Sequence, residues 1–199
     1  MAQNDLDLAA LVSSRICHDL ISPIGAINNG LELLNMSGAT PVGPEMQLIY
    51  DSVKSASARI RFFRIAFGTA SDDPVVRNEV TSILTEMFNG GRLAVEWGPV
   101  DGQTRKAVRC AFLAILCLET AMPFGGQIRV SSSRSSWGIV GKSEKISNID
   151  VLWNESSFPN TSAKMSPTHV QFSILRTAAN EEDLDLRLKR SPNEISILF

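Results

Sequence analysis

Apolar residues recur at Leu6, Ala10, Cys17, Leu20, Ile24, Ile27, Leu31 and Leu34, alternating by four and three, with Ser13 the one polar member of the series. This is the spacing of a helical seam. A second series, Met46, Ile49, Val53, Ala56, Ile60, Phe63 and Phe67, repeats it after a break at Ser37 to Pro44, whose Gly and Pro residues end one helix and start the next. The two series predict a helical hairpin. Each helix runs about 40 Å at about 1.5 Å per residue, and Ile21, Leu33, Leu48, Phe62 and Ile65 broaden the apolar faces. Two helices cannot cover that surface alone. A second copy of the hairpin covers it, which predicts a homodimer built on a four-helix bundle.

After Gly68 the pattern changes. TASDDP is a turn-rich break, and helical and alternating patterns interleave beyond it. The boundary divides the chain into a hairpin, residues 1–72, and a second domain, residues 73–199. Pro74 to Asn89 reads as a helix, Leu93 to Trp97 as a strand, and Thr104 to Met122 as an apolar helix closed by Pro-Phe-Gly-Gly. Gln127 to Ser133 and Ser136 to Lys142 read as a strand hairpin around the Ser-rich turn at 131–136. Ser166 to Asn180 reads as a helix, followed by strands on Leu184, Leu186 and Leu188 and on Ile195, Ile197 and Phe199. The fold class is α+β: a helical hairpin, then an α/β sandwich.

With 199 residues, 44% of them hydrophobic, the chain can bury a substantial core. A net charge of -2 with scattered Lys and Arg gives no basic face for nucleic acid. The first residues lack a secretory pattern and no apolar run approaches the roughly 20 residues of a membrane span, so the expectation is a cytoplasmic protein with no membrane partner. Cys17, Cys110 and Cys117 sit in apolar helical patterns without the short paired spacing of a metal or redox site, and are expected as buried, reduced thiols.

The chemistry concentrates at His18, which opens the run H-D-L-I-S-P one residue past the seam position Cys17. At about 100° per residue this places the imidazole beside the buried face, toward solvent. Unprotonated imidazole accepts a phosphoryl group near neutral pH, and the phosphoramidate it forms is reactive enough to pass the group on. Asp19 beside it would hold the other ring N–H or act as a base. Further along the same stripe stand Ser22, Gly25 and Asn29, small or polar residues that leave room for a partner's helix. Pro23 removes a backbone hydrogen bond near the histidine.

H-D-L-I-S-P-I resembles the H-box of sensor histidine kinases. ICHDLISPIGAINNGLELL followed by a helix ending RIAFG is similar to the ChpT family of alphaproteobacterial histidine phosphotransferases. The resemblance implies a dimeric bundle, phosphorylation of His18 by the receiver domain of a CckA-type hybrid kinase, and transfer to receivers of the CtrA and CpdR kind. It also implies that Mg²⁺ is carried by those receivers rather than by this chain. PFGGQIRV resembles the turn and strand of a kinase ATP-binding domain, and that register puts Cys117 where the kinase has its Mg²⁺-holding Asn. A thiol is a poor Mg²⁺ ligand. Gly138 and Gly141 have no preceding Asp at the required place, and no later Gly-rich lid follows. The second domain therefore resembles a degenerate ATP-binding domain, and no bound nucleotide cofactor is expected.

Two other readings stand beside a phosphotransferase: a divergent autophosphorylating kinase, and a helical dimer that scaffolds or sequesters a response regulator. Arg59, Arg61 and Arg64 would steer an acidic partner or form a solvated helix face. His169 reads as an exposed or capping residue, and Trp97, Trp137 and Trp153 as packing residues.

Overall fold

Two long helices open the chain. In the computed structural model, which describes residues 2–37, 43–133, 136–155 and 166–199, α1 runs Ala2–Ser37 and α2 runs Pro44–Ala66. Pro44 occupies the first turn of α2, where its missing N–H has no intrahelical partner to lose, and Glu45 follows it at the positive end of the helix dipole. Most of the expected break between the helices, residues 38–42, lies outside the described residues. α1 continues through Pro23, which is buried.

The inward stripe of α1 is Ile16, Leu20, Pro23, Ile27, Gly30 and Leu34, all buried or half-buried. Gly30 lets the helices approach, since a Cβ there would stand 2.6 Å from Ile49 Cγ1. The seam read from the sequence divides accordingly. Leu20, Ile27 and Leu34 turn inward, whereas Ala10, Ser13, Cys17, Ile24 and Leu31 are exposed. The two position types of a four-three seam lie roughly 50° apart on a helix, so one can face α2 while the other faces outward. This corrects the expectation for Cys17, whose thiol is exposed; Cys110 and Cys117 are buried.

The second part of the chain orders as β1 (Pro74–Val75), α3 (Arg77–Phe88), β2 (Leu93–Trp97), β3 (Gln103–Thr104), α4 (Arg105–Ala121), β4 (Gly126–Ser133), β5 (Ser136–Lys142), α5 (Asp150–Glu155), a 3-10 turn (Pro167–His169), α6 (Val170–Glu181), β6 (Arg187–Arg190) and β7 (Glu194–Leu198). The main sheet has the order β2-β4-β5-β7-β6, with β2 and β4 parallel and the other pairs antiparallel. Ile128, Val130, Ile139, Ile195 and Ile197 point to its covered face, while Gln127, Arg129 and Ser131 alternate to solvent. α4 lies on the covered face, capped by Thr104, whose hydroxyl accepts from Ala107 N–H. Every residue from Ala111 to Leu118 is fully buried.

Three elements differ from the sequence reading. Pro74 and Val75 are strand rather than helix, because their backbone pairs with Thr104 and Gln103. Leu184 and Leu186 precede β6: Asp183 takes φ 53° and Leu184 N–H closes the end of α6 on Ala179 O. α5 is too short to show a periodicity of its own; Asn148 Oδ1 starts it by accepting from Asp150 N–H.

The hairpin and the sheet share one core. Phe62 of α2 stacks on Phe112 of α4 at 4.3 Å, and Phe63, Ile65 and Ala66 are buried in the same cluster.

Candidate functional site

His18 stands on the outer side of α1 with 71% of its side chain exposed, and its Nδ1 lies 3.0 Å from Asp19 Oδ1. The other carboxylate oxygen of Asp19 accepts from Arg15 Nε at 2.8 Å, an i,i+4 pair along the helix. Arg15 is buried and its Nη1 donates to the carbonyl of Thr168 at 2.8 Å. The line Thr168–Arg15–Asp19–His18 thus runs from the 3-10 turn before α6 to the exposed ring. An acceptor-only carboxylate at Nδ1 assigns the ring proton to that nitrogen and leaves the lone pair of the neutral ring on Nε2. Both Asp19 oxygens are engaged, which fixes the carboxylate against the imidazole.

Beside His18 a cleft of about 280 Å³ opens between α1, α2 and the second part of the chain. Arg15, His18 and Asp19 line it from α1 and Arg59 from α2. Arg92, Glu119, Thr120, Pro123, Thr168 and His169 line it from the second part of the chain. Burial pushes the Glu119 carboxyl above its usual range, with Asp19 adding to the shift and Arg15, Arg59 and Arg92 opposing it. Burial, and then the charge of Arg15, push His169 below the usual imidazole value. His169 stands at the N-cap position of α6 without a side-chain cap bond, half-buried, and shares the cleft with His18. Nothing local in the sequence signals that; it follows from the long-range contact of Arg15 with Thr168.

A second cleft, of about 260 Å³, lies between α1 and α2 and is lined by Ser22, Pro23, Ala26, Asp51, Ser52, Ser55 and Arg59. Of the small-residue stripe, Ser22 reaches this cleft. Gly25 and Asn29 lie outside it, Asn29 exposed and Gly25 under open space, since a Cβ there would meet nothing within 4 Å. Arg59 lines both clefts. Arg61 is engaged by Glu86 at 2.5 Å, and Arg64 is exposed.

The positions singled out for nucleotide chemistry are built into the fold otherwise. Cys117 is fully buried on α4, and desolvation holds its thiol well above the ordinary value. Gly138 and Gly141 are strand residues of β5, and a Cβ at Gly141 would press on Met122 Sδ. Trp97 and Trp137 pack with Phe112 and Phe199, and Trp153 packs under Arg176. Among the described residues no three His, Cys, Asp or Glu side chains gather to hold a metal ion, and no helix is long and apolar enough to cross a membrane.

Residues 77–194 match the family described as "Histidine phosphotransferase C-terminal domain". The chain belongs to the histidine phosphotransferase family. "Protein phosphotransferase ChpT" of Brucella abortus (strain 2308) is 42% identical over 128 residues, which is 63% of this chain and 60% of that relative's length. The solved structure "1.7 Angstrom Structure of a Bacterial Phosphotransferase" is 31% identical with a TM-score of 0.77, covering 97% of this chain and 95% of the other. The family match begins beyond the hairpin, whereas this structural match spans nearly the whole chain. The Acinetobacter baumannii histidine kinase AdeS, 11% identical, overlays 91% of this chain and 95% of its own at a TM-score of 0.43.

Proposed function

We propose that this histidine phosphotransferase-family chain is the relay of a multi-step phosphorelay. His18 takes a phosphoryl group from the aspartate of a hybrid kinase's receiver domain and passes it to an aspartate on response-regulator receivers. The observation that carries this reading is an exposed imidazole whose Nδ1 is held by a carboxylate that Arg15 already fixes.

The Nε2 lone pair attacks phosphorus, the P–O bond to the donor aspartate breaks, and that aspartate leaves as a carboxylate. The ring becomes cationic while its Nδ1 proton stays shared with Asp19, whose charge offsets it. Onward transfer is the same exchange in reverse, the acceptor carboxylate attacking and Nε2 leaving with its lone pair. Mg²⁺ on the receiver would offset the moving charge.

The preferred partners are receivers of the CckA, CtrA and CpdR kinds in the cytoplasm. Ser22, Gly25, Asn29 and the cleft between α1 and α2 form the docking side. A homodimer is supported by the outward apolar residues Ile21, Ile24, Leu31, Leu33, Leu48, Val53 and Ile60, each 44% or more exposed in the single chain. The buried Cys117 and the strand placement of Gly138 and Gly141 support a domain that does not bind ATP.

Reconstitution with a phosphorylated hybrid-kinase receiver and a response regulator tests the reading. Label should pass through the wild type and stop with His18→Ala. Label taken directly from ATP without an upstream kinase points instead to an autokinase, and unchanged flow through His18→Ala points to a scaffold.

A further inference from the structure

We infer that Arg59 of the hairpin and Arg92 of the second domain bind the oxygens of the phosphoryl group carried on His18, so that the second domain supplies half of a phosphoryl-binding cleft. The inference rests on the relay reading of His18 and gives the second domain a chemical task in it.

The cleft beside His18 holds three guanidinium groups, and only one of them is engaged. Arg15 bonds Asp19 and the Thr168 carbonyl. Among the described residues neither the Arg59 nor the Arg92 side chain forms a hydrogen bond or ion pair, and the Nε of Arg59 is buried without an acceptor. A buried donor left unmade is costly, so an anion that reaches it gains that donor together with its charge. The doubly charged phosphoryl group is matched by two free guanidinium groups.

Two acidic groups face the same space. Asp19 is neutralised in place by Arg15. Glu119, half-buried, is shifted toward its neutral form by burial, so it opposes the arginines less than an ordinary carboxylate. His169, shifted toward its neutral form, adds little positive charge of its own.

Arg92 is set by the Gly-Gly turn. Its carbonyl accepts from Gly126 N–H at 3.0 Å, and Gly125, at φ 91°, fits so closely that a Cβ there would strike the Arg92 carbonyl. The segment that resembles a kinase's turn here fixes the backbone from which a cation reaches the histidine's cleft. Arg59 approaches from α2, so hairpin and second domain grip the group from two sides.

The full chain, labelled with ¹⁵N at its histidines, is titrated with inorganic phosphate. Saturable movement of the His18 and His169 ring signals is expected. It should weaken about tenfold or more in Arg59→Ala and Arg92→Ala, the worth of one charge-assisted hydrogen bond, and recover in part in Arg92→Lys. In relay reactions, Arg92→Ala should shift the equilibrium of label from His18 toward the receiver aspartate by about tenfold, with the thermal midpoint unchanged. Arg92 is exposed, so this variant carries the test if Arg59→Ala does not fold. Ring signals unmoved by phosphate, or an unchanged partition in a folded Arg92→Ala chain, overturn the inference. Phosphate binding in the cleft without any label on wild-type His18 sinks the relay reading and leaves the anion site standing.

Discussion

His18 and His169, the two histidines of the chain, line one cleft, one from the first long helix and the other from the turn that opens α6. His169 is pushed down by burial and by Arg15, so between its folded value and the ordinary 6.5 the unfolded chain binds more protons than the folded one. Its contribution to stability is present above that window and is lost as pH falls through it. Asp19, Glu119, Arg59 and Arg92 face the same space and set the background. Replacing His169 by Gln should flatten the loss of stability below pH 6.5 relative to wild type, read from urea midpoints at a series of pH values. Parallel pH curves for the two proteins would contradict the assignment.

Asp19→Asn keeps the shape but removes the charge that holds both His18 Nδ1–H and Arg15. Phosphoryl uptake from a phosphorylated receiver should slow by about a hundredfold, while the receiver's affinity for the chain stays the same. Rapid-quench transfer assays alongside binding measurements separate the two. A matching loss of affinity would mean that Asp19 serves docking instead.

The three thiols should react in order of exposure. Cys17 is open, whereas burial pushes Cys110 up to about 11 and Cys117 well above its usual value. A maleimide at neutral pH should therefore modify Cys17 alone in the native chain, as mass spectrometry reads, and all three after unfolding. Protection of Cys17 that grows with protein concentration would report a second copy covering that stripe.

Much of this fold was legible because it is written in local periodicity. The strand Leu93–Trp97 and the β4–β5 hairpin follow alternation, and α4 follows an apolar run between Thr104 as cap and a Gly-Gly stop. His18 and Asp19 were legible as a pair because adjacency and helical phase suffice to place them. The cleft was not. Arg92, Glu119 and His169 each look like ordinary surface residues until Arg15 meets Thr168 across the fold, a contact that no spacing encodes. Pro74 and Val75 misread as helix for a similar reason, since their pairing partners lie at Gln103 and Thr104.

The outer apolar stripe should behave as an interface. Ile24→Glu and Val53→Glu place charges on residues that are each 50% exposed in the single chain, where they do not disturb the core. Sedimentation of the double variant should show a monomer with native helix content, and the wild type a dimer. A wild type that sediments as a monomer at high concentration would remove the need for a second hairpin.

Gly125→Ala should cost about 2 kcal/mol or more of stability, since residue 125 takes φ 91° and the added methyl meets the Arg92 carbonyl. Denaturant midpoints give the loss. Phosphate binding by this variant should fall too, because the turn holds the root of Arg92.

The stack of Phe62 on Phe112 has a mechanical meaning. The helix that carries Arg59 is rooted, a few residues on, in the core beneath the sheet, and Arg15 ties the neighbouring helix to the far turn. The hairpin and the body behind it are joined by packing on one side and by a hydrogen bond on the other. Cutting the chain after residue 72 would strip Phe62 and its buried neighbours of the body they pack into.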